Sequence, residues 1–211
     1  LDGLCGSVRL MAVPAEEIIE FEFREELRRQ GVIRYFGGKQ EFLARGYMAG
    51  CDLAFMMHTS FGEGSFEAPN RGCDGCVVKN ATFVGKSAHA GASPHRGINA
   101  LYAANLGIAA VNFLRETFRE ADYVRTHPII TNGGELVNIV PSIVTMETYV
   151  RGANFPAIRD AANKVDRAIE GASYAIGAKC NIKNYKGYLP LIQSNELSQL
   201  FEDNLNALPS E

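Results

Sequence analysis

The sequence predicts an α/β chain of the α+β kind, whose second half is a ferredoxin-like β-α-β-β-α-β unit. Three observations predict it. Short β-branched runs alternate with two long apolar-periodic segments, 98–118 and 156–176. Gly, Pro and Asn punctuate the runs at nearly every junction. The order of the runs after residue 76 is that of a split βαβ unit, with an antiparallel sheet and helices on one face.

The elements follow in order. Val8 to Val13 is an apolar run that reads as a buried strand and ends at Pro14. Ile18 to Gln30 is charged, with Phe21, Phe23 and Leu27 interleaved, and reads as a partly exposed helix. Gly37 and Gly38 break it, and Lys39 to Arg45 reads as a short helix stopped by Gly46. Leu53 to Met57 reads as a strand ending at His58. Gly62 to Gly75 is rich in Gly, Pro and Asn and reads as a hinge. Val77 to Val84 is a strand, 98–118 a long helix, and Ile129 to Thr131 and Ile143 to Val150 are strands around NGGELVNIVPS. Pro156 suits the first turn of the helix over 156–176. Cys180 to Tyr188 is the last strand, and a helix follows over Ser194 to Asn206. The expected domains are 1–70, 71–189 and a return segment, 190–211.

With 211 residues, 46% of them hydrophobic, the chain can build one large or two modest cores. A net charge of −3 with scattered Lys and Arg gives no footprint for nucleic acid. No apolar run reaches membrane length and no signal-peptide pattern opens the chain. Five cysteines, an odd number, predict reduced thiols and a cytoplasmic protein. Cys73 and Cys76 form a single C-x-x-C. Structural zinc would want a second pair, so both read as ordinary loop cysteines. The opening LDGLCGSVRL reads as the middle of a domain, which predicts a fragment.

Several residues are candidates for chemistry. Glu16 and Glu17 follow the first apolar run at once. They open a helix, where the macrodipole favours acids, or one binds a metal while the other handles the proton of metal-bound water. His58 closes an apolar run and is either a metal ligand or a hydrogen-bonded imidazole. His89 and His95 lie in the small-residue loop GKSAHAGASPHRG, where His89 could donate to a developing oxyanion. The same loop also reads as a plain surface connection. Asn138 and Arg151 lie 13 residues apart. Arginine recognises carboxylates bidentately, and Arg151 also reads as a surface strand residue.

Together, GSVRLMAVPAEE, GGK at 37–39, DLAFMMH at 52–58, GKSAHAGASPHRGINAL and GGELVNIVPS resemble the dinuclear-zinc amidohydrolase, or aminoacylase metallopeptidase, family. The nearest branch is that of aminobenzoyl-glutamate hydrolase and the N-acyl-amino-acid amidohydrolases. The resemblance covers nearly the whole chain. It implies a partial zinc-peptidase-like catalytic domain joined to a ferredoxin-like lid or dimerisation domain. It implies metal-dependent hydrolysis of an amide in an N-acyl or N-aroyl amino acid. The implied roles are Glu16 as general base, Glu17 and His58 as ligands, and His89 as oxyanion donor across a dimer. Asn138 and Arg151 are implied to hold the substrate carboxylate. The implied cofactor is a divalent metal, two Zn ions, with Mn or Co as alternatives. The implied partner is a second copy, paired through the lid domain by the 98–118 helix and the strand before it.

The family's upstream His-x-Asp segment, its bridging acid and its final histidine have no counterpart here, so this chain alone is expected to be inactive. The segment from Ile18 to Phe36 is longer than the resemblance leads one to expect. Two other functions compete: a non-catalytic dimerisation or binding module, and a small-molecule sensor domain.

Overall fold

A computed structural model describes Gly3, residues 5–58 and residues 72–208. Two compact units divide the chain, residues 1–58 and 59–211. The expected hinge, Gly62 to Gly75, lies outside the described residues up to Arg71.

In the first unit the described elements are two helices, α1 (Phe21–Arg29) and α2 (Gly38–Ala44). Neither expected strand forms: 8–13 and 53–57 pair with nothing in a ladder among the described residues. The reason is physical, since a strand exists only by hydrogen bonding to a neighbour. Val8 is 90% and Leu10 94% exposed, so the apolar run buries little. What fixes it is Arg9, whose Nη1 donates to the carbonyls of Tyr47 (2.6 Å) and Ala49 (3.2 Å).

The long charged segment between the glutamates and α2 closes on itself. Buried Arg24 donates from one nitrogen to the carbonyls of Glu17 (2.6 Å) and Phe36 (2.7 Å), its entry and exit. Ile18 and Phe36 are buried, and the Phe21 and Phe36 rings sit 5.9 Å apart. Buried Glu41 accepts from the amides of Arg34 and Tyr35, which pins the far end.

The second unit carries the sheet. Its elements are β1 (Gly75–Val84), α3 (Ala100–Phe113), β2 (Arg125–Thr126), β3 (Ile129–Asn132), β4 (Ile143–Gly152), α4 (Phe155–Ile176), β5 (Lys179–Lys186) and α5 (Asn195–Asn206). All pairings are antiparallel, and in space β4 and β1 are central, with β5 on one edge and β2 and β3 on the other. That is the ferredoxin-like order, with β2 as a short addition.

Alternation decides which side is core. Ala81 and Phe83 of β1, and Val144, Met146 and Val150 of β4, share one face under α3 and α4. Ala103, Ala104 and Val111 of α3 and Ala161, Val165 and Ile169 of α4 complete that core.

α3 is shorter than the apolar period suggests. Ile98 is held in a bridge to Lys86, and Asn99 caps the helix by accepting from the amides of Leu101 (2.9 Å) and Tyr102 (3.1 Å). After Phe113 the chain tightens into a 3-10 turn over Leu114–Thr117. α4 begins under an Asn154 cap and stops at Gly177, which takes a left-handed φ of 77°. No helix among the described residues is long and apolar enough to cross a membrane.

Candidate functional site

In the first unit the glutamate pair sits on the turn after Pro14. The Gly38 amide at the start of α2 donates to the Ala15 carbonyl (2.8 Å). A Cβ at Gly38 would come within 2.6 Å of Val13 Cγ1, so only glycine allows this approach. The contact brings Lys39 to Glu16, Nζ to Oε1 2.8 Å. Hydrogen bonding and charge from Lys39 hold the Glu16 carboxyl below its usual value of 4.5. The His58 imidazole lies near enough to add to that effect.

His58, far from the adjacent Glu16 and Glu17 in sequence, thus lies within electrostatic reach of Glu16. All three are exposed. The resemblance implies a base whose affinity for protons is raised by a closed cleft. Here Glu16 is open to solvent and ion-paired, which acts the other way. Lys39 has no role in the sequence reading, because an ion pair across 23 residues leaves no local signal.

As a metal centre these residues are incomplete. A closed zinc site takes about four donors. No group of three His, Cys, Asp or Glu able to hold a metal occurs among the described residues. Glu17 and His58 can supply two donors and no more, so they do not by themselves fit a zinc pair.

In the second unit the loops after β1 and before β4 zip together. His89 bridges Ile139, the Ala90 amide donates to the Asn138 carbonyl (2.9 Å) and the Val140 amide to the Ala88 carbonyl (2.9 Å). Both His89 and Asn138 are exposed. His89 Nδ1 accepts from the amides of Gly91 (3.2 Å) and Ala92 (3.0 Å). With Nδ1 accepting, the neutral ring carries its proton on Nε2, which leaves Nε2–H as the donor of this exposed residue.

Arg151 is not with them. It lies near the end of β4, while Asn138 lies beyond its start. Eight residue steps of strand, about 27 Å, separate Ile143 from Arg151. Arg151 Nη1 donates to the Tyr188 hydroxyl (2.9 Å) and its guanidinium lies 5.1 Å over the Tyr149 ring. The five cysteines are free thiols, and burial pushes the Cys76 thiol up, which makes it a poor nucleophile.

Residues 61–175 match the model of the M20 peptidase dimerisation domain. The chain belongs to that family. It is 30% identical over 176 residues to the Xaa-Arg dipeptidase of Mus musculus, a match covering 83% of this chain and 39% of the relative. It is 28% identical over 179 residues to one of the p-aminobenzoyl-glutamate hydrolase polypeptides of Escherichia coli K12, covering 80% and 36%. Among solved structures, the aminobenzoyl-glutamate utilization protein of Klebsiella pneumoniae superposes with a TM-score of 0.52 at 19% identity, covering 65% of this chain and 34% of that one. A hydantoinase/carbamoylase family amidase of Burkholderia vietnamiensis gives 0.57 at 18%, covering 64% and 33%. These superpositions bear on the fold alone. The chain spans less than half the length of either curated relative.

Proposed function

We propose that this M20 chain is part of a metal-dependent hydrolase that cleaves the amide bond of an N-acyl or N-aroyl amino acid. One observation supports the proposal: the charge of His58 acts on the Glu16 carboxyl in the first unit, although the two are far apart in sequence, and Glu17 adjoins Glu16. A glutamate base, two ligand-type side chains and a dimerisation domain are what such an enzyme needs from this portion of its chain. The relatives include a dipeptidase and an aroyl-glutamate hydrolase, which supports an amide as the bond cleaved.

Each residue then has a task. Glu16, kept ionised by Lys39, accepts a proton from water. His89 offers its Nε2–H to the oxyanion of the tetrahedral intermediate. Arg151 and Asn138 bind polar groups of the substrate, Arg151 its carboxylate. A divalent metal, two zinc ions with manganese or cobalt as alternatives, would supply Lewis acidity, and Glu17 and His58 would be two of the donors it needs.

The separation along β4 supports a pair of chains. Asn138 precedes the start of β4, and that start lies about 27 Å along the strand from Arg151, so one small substrate does not readily meet both in the same protomer. In a two-fold dimer, the two ends of the sheet can serve different clefts.

The test is hydrolysis of hippurate by the whole metal-loaded protein. Glu16→Gln should lower kcat by about 10²–10⁴-fold, the usual contribution of a general base. It should leave the dimer intact. Undiminished turnover in that variant would refute the role of Glu16. A non-catalytic dimerisation module is the second reading, favoured by the missing third donor among the described residues; it predicts no turnover in any metal-loaded form.

A further inference from the structure

At the Gly152 end of the sheet, the strand entering the second unit and the segment after β5 run side by side. The Cys76 amide donates to the Tyr188 carbonyl (2.8 Å) and the Leu191 amide to the Cys73 carbonyl (3.0 Å). Gly187 makes this crossing possible, since a Cβ there would overlap the Cys76 carbonyl and sulfur. The crossing fixes the backbone of Tyr188, and with it the phenol against Arg151.

Arg151 is held in an unusual way. Its Nη1 donates to the Tyr188 hydroxyl at 2.9 Å, and Tyr149 lies under its guanidinium at 5.1 Å. Among the described residues no carboxylate lies within 4 Å of it. Its cross-strand neighbour on β2 is another cation, Arg125. A half-buried guanidinium ordinarily takes an acid as partner, because desolvating an uncompensated charge is costly. Here two tyrosines take that place. One accepts a hydrogen bond, the other offers its π face, and neither cancels the charge.

We propose that Tyr188 is a positioning residue that locks one nitrogen of Arg151 and leaves the rest of the guanidinium fork for the carboxylate of an N-acyl amino acid. This rests on the assignment of Arg151 to the substrate carboxylate made above. Burial supports it, because burial raises the Tyr188 phenol above its usual value of 10.0 and so keeps it a neutral acceptor. Freezing the guanidinium before the ligand arrives removes part of the ordering cost of binding.

The test uses the ¹⁵N-labelled 211-residue chain, hippurate as probe and N-methylbenzamide as its carboxylate-free control. The Arg151 side-chain signals are assigned with Arg151→Lys and followed by NMR during titration. In the wild type, hippurate should shift the Arg151 Nε–Hε signal and the control should not. Tyr188→Phe keeps the ring and removes the acceptor. It should speed rotation of the guanidinium and weaken hippurate about fivefold, the equivalent of about 1 kcal/mol for one lost hydrogen bond. If Arg151→Lys loses hippurate while Tyr188→Phe binds it like the wild type with unchanged side-chain signals, the role of Tyr188 is overturned and that of Arg151 stands. If hippurate leaves Arg151 unmoved in the wild type, the carboxylate assignment fails and takes the positioning role with it.

Discussion

Glu41 illustrates how single side chains hold the first unit together. It is buried, yet it is an acid. Burial alone would push its carboxyl up, but the amides of Arg34 (2.8 Å) and Tyr35 (3.1 Å) and the Arg45 guanidinium (2.7 Å) outweigh burial and hold it below its usual 4.5. A carboxyl lowered by folding stabilises the fold above its unfolded value, and that contribution disappears as pH falls through the folded one. Glu41→Gln should therefore destabilise the chain by about 1–3 kcal/mol at neutral pH, the usual cost for a charged hydrogen-bond acceptor. The gap between variant and wild type should narrow as pH drops below 4.5. Urea melts at neutral and acid pH check this, and a gap that widened in acid would contradict it. None of this was legible in the sequence. The partners of Glu41 are backbone amides, delivered by a segment whose closure depends on Arg24 reaching two carbonyls at once. Lys39 and Tyr188 were hidden for the same reason, since each meets its partner through a backbone crossing that has no local pattern. The candidate residues Glu16, Glu17, His58 and His89 stood out in the sequence because each lies within or beside a recognisable motif.

At the scale of elements, visibility followed burial. β1, β4 and α4 were readable because their apolar residues repeat at the period of the element that buries them. The run over 8–13 has the same look and is not a strand, because pairing depends on a neighbour and not on composition. The separation of Asn138 from Arg151 was latent in the length of β4, since a strand of ten residues must span a sheet.

Lys79 is an exception inside a readable element. It lies on the helix-facing side of β1, 1% exposed, with Nζ 2.7 Å from Asp166 of α4 and 2.8 Å from Asn184 of β5. One side chain thus ties a central strand to a helix and to an edge strand. The two partners are not equivalent, because Asp166 keeps 25% of its surface in water. Removing the acid leaves a buried charge without its counter-ion, which costs about 3–5 kcal/mol. Removing the lysine leaves an acid that water can reach. Asp166→Ala should thus lower the unfolding midpoint more than Lys79→Met does. Chemical denaturation of both variants measures this, and the reverse ranking would mean that the pair does not bear on stability as its burial suggests.

At the scale of the whole molecule, α3 is apolar on both sides. Its inner side is the core, and its outer side shows Tyr102 at 63%, Leu106 at 38% and Phe113 at 80% exposure. These lie at positions i, i+4 and i+11, one stripe along the helix. The neighbouring edge strand β3 pairs only with β4 among the described residues, so its outer backbone groups have no ladder partner there. An apolar helix stripe and an open strand edge are each costly in water and each satisfied by a second copy. A stable interface needs roughly 800 Å² from each partner, more than three side chains supply. Helix and strand edge must therefore take part together. The pair Tyr102→Glu and Phe113→Glu places charge in the middle of that surface without touching the core. Light scattering at micromolar concentration should give twice the chain mass for the wild type and the single mass for the double variant, while Arg151→Lys remains a dimer. A wild-type monomer would leave the apolar stripe unexplained and would break the link between β4's two ends and two clefts, because His89 and Asn138 would then have no second cleft to serve.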